Sequence, residues 1–128
     1  MVTQRKMFTL EEARRALPLV RRIAADMQIA VDDLTKLPGG TSFLYGASPL
    51  EDLSDGIRHR AGDLHTRIMT LTAELTEIGV ELKGFQPVLV DFPTRREEQV
   101  VYLCWAEGES DIGFWHPLTE GFRSRQPL

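Results

Sequence analysis

The stretch VVYLCWAEGESDIGFWH, residues 100–116, decides the fold class of this chain. Its first part, Val100–Trp105, is β-branched and aromatic without a helical period, and Ile112–Trp115 is a second run of the same kind. The intervening AEGESD is small and polar and contains Gly108. This pattern predicts two antiparallel strands joined by a turn.

Both faces of the first predicted strand are apolar. Because side chains alternate along a strand, Leu103 and Trp105 share one face, while Tyr102 and Cys104 share the other. A strand that is apolar on both sides does not fit a sheet with one solvated face. We therefore expect each face to be covered, either by helices upstream in the chain or by another chain.

A long helix is predicted for residues 9–37. Thr9 and Glu12 form a capping box at its start, and apolar residues then recur at spacings of three and four as far as Leu37. Pro18 lies inside this pattern, but the apolar periodicity keeps its phase across it. We therefore predict a kink near Pro18 and not an end of the helix.

A second helix is predicted for residues 49–78, with Ser48 as its N-cap and Gly79 after its last turn. Residues 38–47 are predicted as a loop, and the Phe-Leu-Tyr trio at 43–45 either packs on the end of the helices or docks a partner. Two helices of similar length joined by a short loop are typical of an antiparallel hairpin.

The distribution of charge favours the same hairpin. The first helix is basic in its first half and acidic in its second, and the second helix has the same order, so antiparallel pairing brings opposite charges together. Arginines such as Arg14 and Arg21 then have partners within the hairpin. With a net charge of −4 for the whole chain, this argues against a nucleic-acid partner.

Length and composition indicate one domain, residues 1–128. The chain is 42% hydrophobic, which is enough for a single core. Cys104 is the only cysteine and the three histidines are scattered, so the spacing predicts no disulfide, no metal site and no cofactor. No apolar run has the length of a membrane span or a secretory signal, and we expect a soluble cytoplasmic protein without membrane contact.

The sequence therefore predicts an α+β fold, in which a long, coiled-coil-like antiparallel two-helix hairpin is followed by a small antiparallel β-sheet over residues 80–116. The sheet is expected to pack against the end of the hairpin near Thr9 and Gly79. Val88–Phe92 is predicted as one of its strands, ended by Pro93.

Residues 117–128 are predicted as an irregular tail that folds back over the sheet. Phe122 is expected to be its buried anchor, because an irregular segment orders itself only by burying apolar surface. Arg123 or Arg125 is expected to pair with Asp91 or Glu109, beside His116.

Few residues in the chain could carry chemistry. Asp91 lies inside an apolar strand, so its carboxylate is either paired or functional. His116, at a strand end, is the one candidate proton carrier, although such a histidine is more often a surface group or a group that supports a neighbouring site residue. Glu109 lies in the hairpin turn, and Cys104, inside a strand, is interpreted as an inert core residue.

Several motifs together resemble the bacterial proteins grouped as domain of unknown function 2203. They are FTLEEA at Phe8–Ala13, LVDFP at Leu89–Pro93, YLCW at Tyr102–Trp105, IGFWH at Ile112–His116 and GFRSRQPL at Gly121–Leu128. The resemblance implies a small bacterial protein without an established activity, so no catalytic residue follows from it. It does imply that Asp91, Glu109, Trp115, His116 and Arg125 occupy motif positions of the family, and we take them as a candidate polar or ligand-binding cluster.

Two hypotheses for the function follow. The first is a homo-oligomeric binding or scaffolding module, most simply a two-fold dimer, because apolar surface exceeds what one chain covers. A further protein partner is the other way to cover that surface. The second is a small enzyme or ligand-binding protein that uses Asp91, Glu109, His116 and Arg125. Convergence of these four side chains on a concave pocket would favour the second hypothesis.

Overall fold

The computed structural model describes residues 6–47 and 53–128. Three helices, α1 (Leu10–Lys36), α2 (Gly40–Leu44) and α3 (Asp55–Ile78), come first. A five-stranded sheet follows, made of β1 (Glu81–Phe85), β2 (Val88–Arg96), β3 (Gln99–Ala106), β4 (Phe114–Pro117) and β5 (Gln126–Pro127), with a 3-10 turn at Phe122–Ser124. Each strand pairs antiparallel with the next along the chain. The α+β fold class is confirmed.

α1 begins at the predicted capping box. The Thr9 hydroxyl accepts from the amide of Glu12 at 3.0 Å, and the Glu12 carboxylate accepts from the amide of Thr9 at 2.9 Å. The helix continues through Pro18, as predicted, and buries one stripe of apolar side chains on both sides of that residue. None of the helices within the described ranges has the length and apolar character needed to cross a bilayer.

Ion pairs show that α1 and α3 are antiparallel. Asp26 pairs with Arg67 and Asp33 with Arg60, each at 3.7 Å, so the contacts descend along α3 as they ascend along α1. The predicted charge pairing is confirmed for this acidic half of α1. These side chains are about half exposed, so each pair adds only a few tenths of a kcal/mol and sets orientation more than stability.

The prediction is wrong for the basic half of α1. Arg14 pairs with Asp111 at 3.2 Å, and Arg21 donates to the carbonyl of Ser110 at 2.5 Å. Both acceptors belong to the loop between β3 and β4. The arginines therefore bind the sheet and not α3, because the sheet lies against this half of α1.

The second long helix starts later than predicted. Ser54 is its N-cap and accepts from the amide of Ile57 at 3.3 Å, so the described helix begins at Asp55. Residues 48–52, which include the predicted cap Ser48, lie outside the described residues. Ser54 satisfies an unpaired amide at the helix start in the way that Ser48 was expected to do.

A short helix, α2, occupies part of the predicted loop 38–47. Leu44 is buried and the ring of Phe43 packs 5.4 Å from that of His65 on α3. The exposed Tyr45 donates its hydroxyl to Gln86 at 2.9 Å. The trio therefore packs on the chain itself, which was one of the two alternatives.

β2 is longer than predicted, because Pro93 does not end it. β1 pairs with β2 only as far as Asp91, opposite Glu81, so Pro93 lies on a part of β2 that has no second strand beside it. An edge position of this kind tolerates a residue without an amide hydrogen. The carbonyl of Pro93 accepts from the amide of Phe8 at 2.8 Å, which joins the start of the chain to the sheet.

One face of the sheet packs along α1, over a longer stretch than the predicted contact at the hairpin end. Val90 and Phe92 of β2 and Leu103 and Trp105 of β3 belong to the core shared with the helices. Farther along α1, Gln28 donates to the carbonyl of Phe85 and accepts from the amide of Val88. The alternating apolar residues of two long strands need this length of helix surface.

The turn into α2 supplies a test of the packing. A Cβ atom on Gly40 would lie 1.7 Å from the carbonyl oxygen of Leu34, whereas one on Gly62 in α3 meets nothing within 4 Å. We predict that Gly40→Ala lowers the free energy of unfolding by about 2 to 3 kcal/mol. The matched Gly62→Ala should raise it by about 0.5 to 1 kcal/mol, because alanine favours a helix interior. Urea denaturation of both variants measures this, and similar values would contradict the described α1–α2 contact.

Candidate functional site

Strand pairing brings three chemically distinct side chains together on the second face of the sheet, away from α1. Asp91 on β2 lies opposite Cys104 on β3, and His116 on β4 lies opposite Tyr102. Asp91, Cys104 and His116 are each at most 2% exposed. A carboxylate oxygen, the sulfur and a ring nitrogen all lie within 4.8 Å of one another. We call these three residues the Asp–Cys–His cluster.

The ring of His116 is held from both nitrogens. Nδ1 lies 2.9 Å from the carbonyl oxygen of Pro117, and Nε2 lies 3.0 Å from Oδ2 of Asp91. A carbonyl oxygen only accepts, so Nδ1 carries a proton. One further proton lies between Nε2 and Oδ2, on either atom. Nε2 is therefore the nitrogen that faces the cluster.

The second oxygen of Asp91 is unusual. Oδ1 is buried and has no hydrogen-bond partner among the described residues. Burial raises the pKa of Asp91 above its usual value, and the charge and hydrogen bond of His116 only partly oppose this effect. Buried polar atoms normally have partners, so an unpaired carboxylate oxygen indicates either a local cost or a place for a ligand.

Cys104 is not activated as a nucleophile. Burial raises the pKa of its thiol to about 12, and the nearby Asp91 carboxylate raises it further, while Arg125 opposes both effects. The thiol is thus protonated at neutral pH, and the thiolate is the reactive form. The interpretation of Cys104 as a buried residue is confirmed, but it missed the contact with Asp91 and His116.

A cavity of about 190 Å³ lies over the cluster, and all three members line it. Lys83 and Leu89 form one side of the cavity. Residues 120–122, which follow β4, form the other. We call this space the tail cavity. The tail cavity thus lies between the Asp–Cys–His cluster and residues 120–122.

An ion pair fastens that segment. The guanidinium of Arg125 donates to both carboxylate oxygens of Glu109, at 2.9 and 2.6 Å. It also lies 3.9 Å from the ring centroid of Phe114 and 4.2 Å from that of Phe122. Burial raises the pKa of Glu109, but hydrogen bonds from Arg125 and from the amide of Ala106 outweigh burial, so the pKa lies below its usual value.

The predicted tail is therefore right in its position and partly wrong in its form. Pairing of Arg125 with Glu109 is confirmed. Asp91, however, pairs with His116 and not with an arginine, and Phe122 is 37% exposed and not a buried anchor. The segment is also not irregular, because β5 pairs with β4 and closes the sheet edge. Strand pairing orders it instead of apolar burial.

Of the predicted site residues, Asp91 and His116 line the tail cavity, whereas Glu109 and Arg125 pair with each other and do not line it, and Trp115 lies on the opposite face. Trp115 lies opposite Leu103 and packs against the helix-side core, with the guanidinium of Arg96 4.7 Å from its ring. His116 is buried and pairs with Asp91, so of the two alternatives to a proton carrier the surface group is wrong. Sequence reasoning placed Cys104 in a strand interior but did not include it among the site residues. Its partners come from two other strands, and only the strand register would have revealed them.

These observations define an α+β protein with a buried Asp–Cys–His cluster. The segment of residues 118–128, which follows β4 and includes β5, lies over this cluster, and we call it the strap. The chain belongs to the family described as uncharacterized conserved protein DUF2203, whose family model matches residues 6–128. No curated protein and no solved structure matches it. The family membership agrees with the resemblance of its motifs.

The ion pair between Arg125 and Glu109 leads to a prediction about stability and its dependence on pH. Arg125→Leu should lower the free energy of unfolding by about 2 kcal/mol at pH 7, because a partly buried charged hydrogen bond is lost. The folded-state pKa of Glu109 is lowered, so its contribution is complete above the usual glutamate pKa of about 4.3 and is lost as the pH falls through the lower value. Urea denaturation at pH 7 and in acid should show a difference from wild type that shrinks in acid.

Arg123→Leu is the matched control, since Arg123 lies in the same segment and is exposed. It should change stability by less than about 0.5 kcal/mol at either pH. Equal changes in the free energy of unfolding for the two substitutions would show that the paired hydrogen bonds from Arg125 to Glu109 do not hold the strap on the sheet.

Proposed function

We propose that the protein binds an ion or a small polar ligand in the tail cavity, with the Asp–Cys–His cluster as the floor of the site. One pair of observations carries the proposal: Oδ1 of Asp91 is buried without a hydrogen-bond partner among the described residues, and Asp91 is one of the residues that line this cavity. Leaving such an atom unpaired costs about 1 to 3 kcal/mol. A bound ligand would remove that cost.

The size of the cavity restricts the ligand. A volume of about 190 Å³ is below the roughly 300 to 1,000 Å³ of pockets for drug-sized molecules. It corresponds to about six water molecules at roughly 30 Å³ each. The cavity therefore suits an ion with its remaining hydration, or a molecule of only a few heavy atoms.

The charges around the cavity favour a polar ligand. Lys83 lines it and pairs with Glu81 at 3.2 Å, and Glu120 lines the opposite side. Both signs of charge thus lie near the rim, above the carboxyl and imidazole groups of the floor. Because the thiol of Cys104 is protonated at neutral pH, these features support binding more than nucleophilic catalysis.

Self-association is a second, independent proposal. Leu19 and Ile29 on α1 and Met69 on α3 are more than half exposed, at 54%, 61% and 55%. The strap covers the second face of the sheet, so the apolar strands themselves supply less of the reason for a dimer than the sequence suggests. The helices remain the surface through which two chains would associate.

Light scattering tests this second proposal. We expect twice the chain mass of 14.5 kDa at micromolar concentration. Leu19→Lys combined with Ile29→Lys should return the protein to a monomer, because burying a lysine in an apolar contact is costly. A wild-type monomer at all concentrations would contradict self-association and would leave the ligand proposal unaffected.

Stability measurements test the ligand proposal. Removing one partner of a buried pair strands the other, so Asp91→Val alone should lower the free energy of unfolding by about 3 to 5 kcal/mol. The double variant with Asp91→Val and His116→Leu removes the pair together and should be about as stable as wild type or more stable. Such a result means that the pair is kept for binding and not for folding.

Native mass spectrometry supplies the direct measurement. Wild-type protein purified without chelators should exceed the mass of its polypeptide, and the double variant should not. A wild-type mass equal to the polypeptide, together with a double variant as unstable as the single one, would contradict the proposal, because the pair would then be structural.

A further inference from the structure

We infer that the ligand of the tail cavity is a divalent transition-metal ion of the zinc class, held by the carboxylate of Asp91, the sulfur of Cys104 and Nε2 of His116. The inference rests on the proposed function of this cavity and names its ligand. It concerns the Asp–Cys–His cluster alone, which strand pairing assembles from β2, β3 and β4.

The three donor atoms select the class of metal. One oxygen, one sulfur and one imidazole nitrogen form a mixed set that suits Zn²⁺ and its chemical neighbours, such as Co²⁺. Magnesium and calcium prefer sites made of oxygen atoms alone and bind thiolate poorly. The single thiol of the chain therefore excludes the hard cations as the preferred ligand.

The distances between the ligand atoms fit an ion after small adjustments, outward for one pair and inward for the others. Bonds to zinc of about 2.0 to 2.3 Å place tetrahedral ligand atoms about 3.3 to 3.7 Å apart. Here Nε2 of His116 and Oδ2 of Asp91 are 3.0 Å apart, and no pair of ligand atoms in the cluster exceeds 4.8 Å. The imidazole and carboxylate must therefore separate by a few tenths of an ångström, and a pair near the upper limit must approach by roughly 1 Å.

The orientation of His116 is that of a metal ligand. Its Nδ1 proton is donated to the carbonyl oxygen of Pro117 at 2.9 Å, so Nε2 can offer its lone pair to a metal once the proton that it shares with Asp91 has left. Histidines that bind metals almost always donate their other ring nitrogen to a carbonyl or carboxylate in this way. The backbone of β4 thus sets both the tautomer and the direction of the ring.

The charges balance when a divalent ion binds. Without an ion, the thiol of Cys104 holds one proton, and Asp91 and His116 share another between Oδ2 and Nε2. Binding forms bonds from the metal to oxygen, sulfur and nitrogen and releases these two protons to solvent. The ion's two positive charges then offset one carboxylate and one thiolate, so no net charge is left in the buried site.

The set also leaves a place for a fourth ligand. All three residues line the tail cavity, so that space could supply a fourth ligand. Three protein ligands with an open position are typical of zinc sites that act on a bound molecule, whereas structural zinc sites have four protein ligands. A water molecule or a small substrate atom would occupy the fourth position.

Cobalt titration tests the inference, because Co²⁺ replaces zinc and reports its own ligands. Protein freed of metal by dialysis against a chelator should take up one Co²⁺ per chain. The complex should show near-ultraviolet absorption from sulfur-to-cobalt charge transfer. Cys104 is the only cysteine of the chain, so this absorption has one possible source.

Variants identify each ligand. Cys104→Ser, which preserves side-chain shape, should abolish the charge-transfer absorption, and it and Asp91→Asn should each weaken Co²⁺ binding at least about tenfold. His59→Ala, which removes an exposed histidine on α3, is the matched control and should change neither property. Circular dichroism of each variant confirms that it is folded before titration.

Uptake without the sulfur absorption, or absorption that persists in Cys104→Ser, would overturn the inference. Metal-free protein that binds neither Co²⁺ nor Zn²⁺ would overturn it as well. If native mass spectrometry still found an adduct that the double variant lacks, only the identity of the ligand would be wrong. If it found none, and the double variant were as unstable as Asp91→Val alone, the proposed function would fail together with the metal site.

Discussion

The antiparallel pairing of β2 with β3 is the constraint on which both halves of the molecule depend. Val90 and Trp105 are paired across the two strands and face the helices. The next cross-strand pair, Asp91 and Cys104, faces the opposite side of the sheet. A register shifted by one residue would exchange these two sets. Burying the ring of Trp105 alone is worth about 2 to 3 kcal/mol or more, so the apolar face holds the register that the polar face needs.

The two faces differ in what they contribute. The helix side supplies the stability of the fold through apolar burial along α1. The far side holds buried polar groups, whose desolvation works against folding. The strap lies over these groups without enclosing them completely. The ion pair between Arg125 and Glu109 and the pairing of β5 with β4 hold the strap in place. The molecule thus combines a rigid apolar frame with a polar site under a short, local cover.

Most of the helical part could be predicted because its signals are local. Thr9 and Glu12 mark a helix start within four residues of sequence, and apolar periodicity does not depend on the rest of the fold. The later start at Ser54 and the short α2 were missed, since a serine N-cap and a glycine turn occur at several neighbouring places. The turn before α2 brings Gly40 against the backbone of Leu34, and this contact is not visible in the sequence.

The site was only partly predictable. Asp91 stands out because a carboxylate inside an apolar strand needs an explanation, whereas Cys104 has no such local signal. Its position opposite Asp91 depends on the turn at Glu97 and Glu98, both with positive φ of 50° and 67°. Turns of this kind usually contain glycine or asparagine, so two glutamates concealed the register. Trp115 was misassigned because membership of a motif does not specify a face.

The strap also has a consequence for local unfolding. Its backbone and ion-pair contacts with the rest of the sheet include the short β4–β5 pairing, the hydrogen bond from the amide of Leu128 to the carbonyl of Gly113 and the ion pair of Arg125 with Glu109. All of these join residues near one another in sequence, so the strap can open while β2 and β3 stay paired and α1 stays packed. Local openings of this kind cost less free energy than global unfolding. Opening of the strap therefore connects the tail cavity with solvent without global unfolding.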